Sequence, residues 1–303
     1  MIKSPAFDSD ALKQALSATS VALERTMEPL LAVPEGPEAR VVEAMRYAFF
    51  SGGKRLRPFL VLASAELFGV DRQQAMRVAG AVECVHCYSL VHDDLPAMDD
   101  DDMRRGKATV HKAFDEATAI LAGDALMTLA FELLAEAKTH ADPHVRLALI
   151  SALARASGHH GMVGGQMIDL SANDHELGEA EIYRLQQMKT GALISFSAEA
   201  GGIMGHASPQ AQASLQGYAR DLGLAFQIAD DLLDVEGTPE EVGKATQKDA
   251  DAGKATLVGI MGVDRARNQA EILANQAIEH LSDFDHKAAL LRAVAHFAIF
   301  RRT

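Results

Sequence analysis

Apolar residues recur along most of the chain at the three-and-four spacing that turns one helix face inward. Ala, Leu, Met, Glu and Gln, all strong helix formers, dominate. The pattern predicts helices over about 8–31, 38–51, 56–68, 72–95, 116–138, 143–157, 179–204, 209–235, 264–281 and 286–300. Pro34-Glu35-Gly36-Pro37 ends the first. Ser208 before Pro209 marks a capped start, because Ser accepts from free N–H groups and Pro suits the first helical position. Alternating strand patterns flanked by Asn-Gly or Asp-Gly turns are absent. No linker and no repeat divides the chain, so one all-α domain spanning 1–303 is expected.

Three segments break the helical pattern, at 51–58, 96–115 and 236–256. All carry Gly with Lys or Arg, and two directly follow aspartate clusters. The first cluster is Asp93-Asp94-Leu95-Pro96-Ala97-Met98-Asp99-Asp100-Asp101-Asp102. The second is Asp230-Asp231-Leu232-Leu233-Asp234. Crowded carboxylates repel unless cations neutralise them. Hard cations such as Mg²⁺ take oxygen ligands and keep sites open for phosphate oxygens. Asp230 and Asp234 are one turn apart on one helix face. Asp93 and Asp99 would point about 240° apart on an unbroken helix. Pro96 must interrupt that helix, and the interruption allows Asp99 to return beside Asp93. A solvated acidic loop is the plainer reading of either cluster alone. An EF-hand is a weak alternative, because the Asp-x-Asp-x-Asp-Gly spacing is absent.

The net charge of −13 argues against a nucleic-acid partner. Nine of the carboxylates sit in the two clusters, so the acidity is concentrated, and bound metal would invert its local sign. A phosphate-rich substrate is therefore not excluded. The two cysteines, Cys84 and Cys87, read as packed thiols, since no further zinc ligands stand at matching spacing. No charge-free apolar stretch is long enough for a transmembrane helix, and the N-terminus lacks a signal-peptide pattern. The cytoplasm is the default location.

A metal-bound diphosphate would also need fixed cations. Lys54 and Arg57 stand three apart in Gly52-Gly53-Lys54-Arg55-Leu56-Arg57-Pro58. Arg104 and Arg105 follow the first cluster, and Lys244 and Lys254 follow the second. Arg offers a planar fork to phosphate and Lys a mobile point charge. His86 lies seven residues before Asp93, on the same helix face, whereas His92 reads as structural.

Together these residues resemble the trans-isoprenyl diphosphate synthases, most closely the bacterial-type farnesyl diphosphate synthases. The matching segments are 52–58, His86, Asp93 to Gly106, Gly164-Gly165-Gln166-x-x-Asp169, Lys189 to Leu193, Phe226 to Asp234, and Gly243-Lys244 with Asp249 and Lys254. The resemblance implies an all-α isoprenoid synthase fold around a central cavity, usually a homodimer. It implies condensation of isopentenyl diphosphate with dimethylallyl or geranyl diphosphate, with three Mg²⁺ ions bridging the allylic diphosphate and Mn²⁺ as a substitute. Metal binding falls to Asp93, Asp99 and Asp230, with Asp94 and Asp234 as further candidates. Arg104, Lys189 and Lys244 would contact the allylic diphosphate, with Lys254 a further candidate. Thr190 and Gln227 would line the reacting carbons, making Lys189, Thr190 and Gln227 the catalytic set. Lys54, Arg57, His86 and Arg105 would hold isopentenyl diphosphate. No carboxylate outside the metal motifs stands out as the final base. By the resemblance, the released diphosphate takes that proton.

In that family, bulk just before the first Asp motif sets product length. Tyr88 and Ser89 occupy those positions, and an aromatic floor there implies a C15 product. A geranylgeranyl diphosphate synthase is the alternative, and a non-catalytic acidic metal-binding subunit a weaker one. A terpene cyclase is disfavoured by Asp230-Asp231-x-x-Asp234. Three positions depart from the family pattern. Gln247 stands for a usual Gly, Leu257-Val258 for a frequent Tyr-Pro, and Ala108 for a frequent Pro. They leave open the loop at 243–258 and with it the role of Lys254.

Overall fold

A computed structural model describes residues 9–172, 177–236 and 256–300. The long helices are α1 (Ser9–Met27), α2 (Ala39–Phe49), α3 (Leu56–Leu67) and α4 (Arg72–Asp93). A two-stranded hairpin follows, β1 (Met103–Arg104) and β2 (Lys107–Ala108), then α5 (Val110–Ala113) and α6 (Glu116–Ala135). Next come α7 (Pro143–Ser157), α8 (Met162–Ser171), α9 (Glu179–Gln186), a π-helical turn (Gln187–Gly191) and α10 (Ala192–Met204). The chain closes with α11 (Pro209–Glu236), α12 (Leu257–Met261), α13 (Val263–His280) and α14 (Ala289–Phe300).

α4 is central because it is buried on almost every side, including Val78, Ala79, Val82, Val85 and Val91. A helix buried on most of its faces cannot sit on a surface. Its N-terminus is held by Asp71, whose carboxylate accepts from the Gln73 and Gln74 N–H groups at 3.0 and 3.1 Å. Around it pack Leu126 and Leu133 of α6, Phe49 of α2, and Leu193 and Phe196 of α10. A second cluster joins Tyr218 and Leu222 of α11 to Leu291 and Val294 of α14 and Leu12 of α1. The buried Tyr218 hydroxyl donates to the Leu291 carbonyl at 2.8 Å.

The expected helices appear, with several differences; α12 falls outside every expected range, and Glu28–Leu31 at the end of the first is 3₁₀ rather than α. The segment 179–204 is not one α-helix, since the π turn interrupts it. Helix α8 was not expected, because Gly161, Gly164 and Gly165 lower helix propensity there and packing overrides it. The segment 96–115 is not only loop. Arg105 and Gly106, at φ 51° and 76°, make a two-residue turn that pairs Arg104 with Lys107. Finally, 286–300 becomes a 3₁₀ stretch, Ser282–Ala288, followed by α14. The Ser208 hydroxyl caps α11 as expected, accepting from the Ala211 N–H at 3.2 Å. Among the described residues, α6 is long and apolar enough to cross a membrane by length and composition alone. It carries Asp124 at mid-length and lines the core with Ala119, Leu126 and Leu133.

Candidate active site

Helix α4 ends at Asp93, and Pro96 turns the chain back. The Asp99 N–H donates to the Asp93 carbonyl at 2.8 Å, and the Asp100 N–H to the Leu95 carbonyl at 3.2 Å. Asp99 thus returns to Asp93, as the interruption at Pro96 allows. Burial pushes the Asp93 carboxyl up to about 6; Lys189 and Arg104 oppose this, and Asp99 and Asp94 add to it. Crowded carboxylates of this kind hold their proton to higher pH than usual, and a bound cation favours the ionised form. The donor set is carboxylate oxygen throughout, which suits Mg²⁺. Among the described residues no three His, Cys, Asp or Glu side chains converge on one point. The motifs therefore form no closed protein-only cage, and a metal held there would need further oxygens from water or phosphate.

Asp94 and Asp99 differ in setting. Asp94 is buried and takes the Arg104 Nη2 and Nε on one oxygen at 2.6 and 2.7 Å, while Asp99 is exposed. Asp94 and Arg104, a candidate metal ligand and a candidate diphosphate contact, are here each other's partner.

The cationic side gathers round His86. Burial lowers the His86 pKa well below its usual value, and Arg57, Arg105, Arg55 and Arg104 lower it further. The ring is therefore neutral near pH 7. Burial also lowers Arg57, helped by Arg105 and opposed by Glu83 and Asp230. The Arg105 Nη1 donates to the Gly52 carbonyl, tying the hairpin to the 51–58 loop. Lys54 is exposed, with its ammonium 5.9 Å from the Phe297 ring centroid. Beneath this group Arg55 and Glu83 form a buried pair at 2.5 Å, which sequence reasoning missed. Arg55 has a left-handed backbone, at φ 49°, and a buried side chain. No sequence pattern marked Glu83, an acid set among the apolar residues of the middle of α4.

Facing the first motif, the π turn carries Lys189 and Thr190. Such turns recur at functional sites because they re-aim side chains. Gly165 of α8 is pressed against it: a Cβ there would lie 2.3 Å from the Lys189 backbone nitrogen. The Lys189 ammonium pairs with Asp169 at 2.5 Å. Asp169 ends the segment Gly164-Gly165-Gln166-x-x-Asp169, whose sequence alone assigns it no role. The Thr190 hydroxyl donates to the Gln227 Oε1 at 3.1 Å. On α11, Asp230 is exposed and Asp234 half-buried one turn on, whereas Asp231 is buried. Lys244, Lys254, Gln247 and Asp249 lie outside the described residues.

Tyr88 is buried; burial pushes its hydroxyl up to about 12, and Asp93 adds to the shift. Its ring stands edge-on to His92 at 5.7 Å. His92 is structural as expected, with its Nε2 3.1 Å from the Ile120 carbonyl oxygen. The Ser89 hydroxyl is turned back to the His86 carbonyl at 2.8 Å. Cys84 and Cys87 are free, buried thiols, and burial raises both pKa values.

An all-α fold bearing two aspartate motifs beside a cationic cluster is the architecture of the prenyltransferases. The chain belongs to the polyprenyl synthetase family, whose model matches residues 38–295. It is 43% identical over 295 residues to the farnesyl diphosphate synthase of Escherichia coli (strain K12), covering 96% of this chain and 97% of that one. It is also 43% identical over 277 residues to the large subunit 1 of the Arabidopsis thaliana heterodimeric geranylgeranyl pyrophosphate synthase, covering 89% and 75%. Among solved structures, the apo FPP/GFPP synthase of Zymomonas mobilis superposes with a TM-score of 0.87 at 53% identity, covering 95% and 99%.

Proposed function

We propose that this enzyme joins isopentenyl diphosphate to dimethylallyl and then geranyl diphosphate, giving (2E,6E)-farnesyl diphosphate and diphosphate. The observation that carries the reading is the return of Asp99 to Asp93 within the field of Lys189, with the arginine cluster alongside. Asp93, Asp99, Asp230 and Asp234 would hold Mg²⁺, three ions with the allylic substrate, and Mn²⁺ would substitute. When bound, the metal neutralises charge developing on the departing diphosphate. Lys189 adds a fixed charge there, joined by Arg104 once it exchanges Asp94 for phosphate, and by Lys244 and Lys254. Lys54, Arg57 and Arg105 bind isopentenyl diphosphate, and neutral His86 donates or accepts a hydrogen bond without adding charge. Thr190 and Gln227 line the reacting carbons. Tyr88, flanking Ser89 one turn below Asp93, closes the floor at C15.

A homodimer in the cytoplasm completes the reading. Exposed Ile120 and Leu121 on α6 are an apolar face that a second copy would cover, and light scattering tests the dimer. The FPP/GFPP relative favours one second reading, a longer product. The test incubates the enzyme with geranyl and isopentenyl diphosphates and Mg²⁺, then chromatographs the dephosphorylated products. A C15 alcohol supports the proposal. A C20 or C25 alcohol selects the second reading, and a cyclised hydrocarbon or no turnover overturns both.

A further inference from the structure

We propose that Asp231 and Gln186 are positioning residues that fix the polarity of the Gln227–Thr190 hydrogen-bond chain, so that Thr190 turns lone pairs rather than its proton toward the reacting carbons. This rests on the prenyltransferase reading above and deepens it.

The chain reads in one direction only. Asp231 is buried, and an ionised carboxylate only accepts. The Gln227 Nε2 donates to its Oδ1 at 3.1 Å. That contact decides which end of the Gln227 amide faces Thr190: the oxygen. The Thr190 hydroxyl must then donate, and it does, at 3.1 Å. Its proton is committed to Gln227, and its remaining lone pairs are free. Were the Gln227 amide reversed, its N–H would face Thr190, and the hydroxyl proton would be free to point at a developing allylic cation. Preorganised dipoles stabilise a transition state only when their sign is right.

Gln186 completes the device. Its Nε2 donates to the second Asp231 oxygen at 3.1 Å, holding the carboxylate from the other side. Gln186 is itself buried, and its Oε1 has no hydrogen-bond partner among the described residues. An unsatisfied buried carbonyl costs stability, so a side chain kept only for packing would be better apolar. Gln186 also immediately precedes the π turn that carries Lys189 and Thr190. One residue thus anchors both the acceptor and the turn that presents the donor.

The test is a double-mutant cycle. Gln186→Met keeps the volume and removes both the donor and the unsatisfied oxygen. We expect kcat to fall about tenfold, while the KM for isopentenyl diphosphate and the half-saturating Mg²⁺ stay within about twofold. In a Thr190→Val background the same change should cost nothing further, because the hydroxyl it orients is gone. Asp231→Asn, which lets the Gln227 amide turn over, is the second variant; it should likewise lower kcat in the native background and cost nothing further in Thr190→Val. Additive losses in the cycle, or an unchanged kcat in Gln186→Met, overturn the proposal. A native enzyme that does not condense the substrates overturns the functional reading instead, so the two failures are distinguishable.

Discussion

The Asp99 backbone N–H donates to the Asp93 carbonyl oxygen at 2.8 Å, across a chain reversal that begins at Pro96. Two carboxylates that a continuous helix would hold on different faces are thereby brought together. The reversal begins at Pro96, three residues after α4 ends at Asp93, so the motif is a helix end rather than a helix face.

That juxtaposition predicts a pH dependence of metal binding. Burial, with Asp99 and Asp94 adding, raises Asp93 from its usual carboxylate value to about 6. The metal needs the deprotonated form, so the half-saturating Mg²⁺ concentration should rise as pH falls through about 6. The effect on stability has the opposite sense. In the metal-free protein the folded state keeps this proton after the unfolded chain has lost it, so Asp93 costs stability as pH rises from about 4 to about 6. Added Mg²⁺ should cancel that loss. Kinetics and melting at several pH values, with and without Mg²⁺, check both statements.

Much of this site was legible in the sequence because it is written locally. The Asp93–Pro96–Asp99 reversal follows from helix period and proline chemistry, and the Asp230/Asp234 spacing from one turn of helix. What was not legible depends on partners distant in sequence. The Arg55–Glu83 pair joins residues 28 apart, and the Asp231–Gln186 contact residues 45 apart. The π turn at Gln187–Gly191 is set by α8 pressing Gly165 against it, which the periodicity of 179–204 cannot reveal. The hairpin at Met103–Ala108 is too short for an alternating pattern, and only its turn, Arg105-Gly106, carries a signal.

Tyr88→Ala should lengthen the product beyond farnesyl diphosphate. The ring is buried and stands edge-on to His92, so its removal opens depth rather than surface. Chromatography of dephosphorylated products reads the outcome, and an unchanged C15 product removes Tyr88 as the floor.

Glu83→Gln should destabilise the fold by about 3–5 kcal/mol, because it leaves the Arg55 guanidinium buried without its counter-charge. Replacing both residues with apolar ones of similar volume should recover most of the loss. Denaturant titration of the two variants checks this pair of expectations.

Gly165→Ala should lower kcat by about 100-fold while the helical content stays intact. The new methyl would lie 2.3 Å from the Lys189 backbone nitrogen, so the π turn must shift and take Lys189 and Thr190 with it. Circular dichroism beside steady-state kinetics separates displacement of the site from loss of fold.

The central claim is that two aspartate motifs hold one allylic diphosphate through Mg²⁺. Calorimetric titration of geranyl diphosphate tests it most directly. Binding should require Mg²⁺, and it should weaken at least about 100-fold in Asp93→Ala and in Asp230→Ala alike, since each removes a ligand of the shared metal–diphosphate group. Undiminished binding in metal-free buffer, or in either variant, would contradict the account.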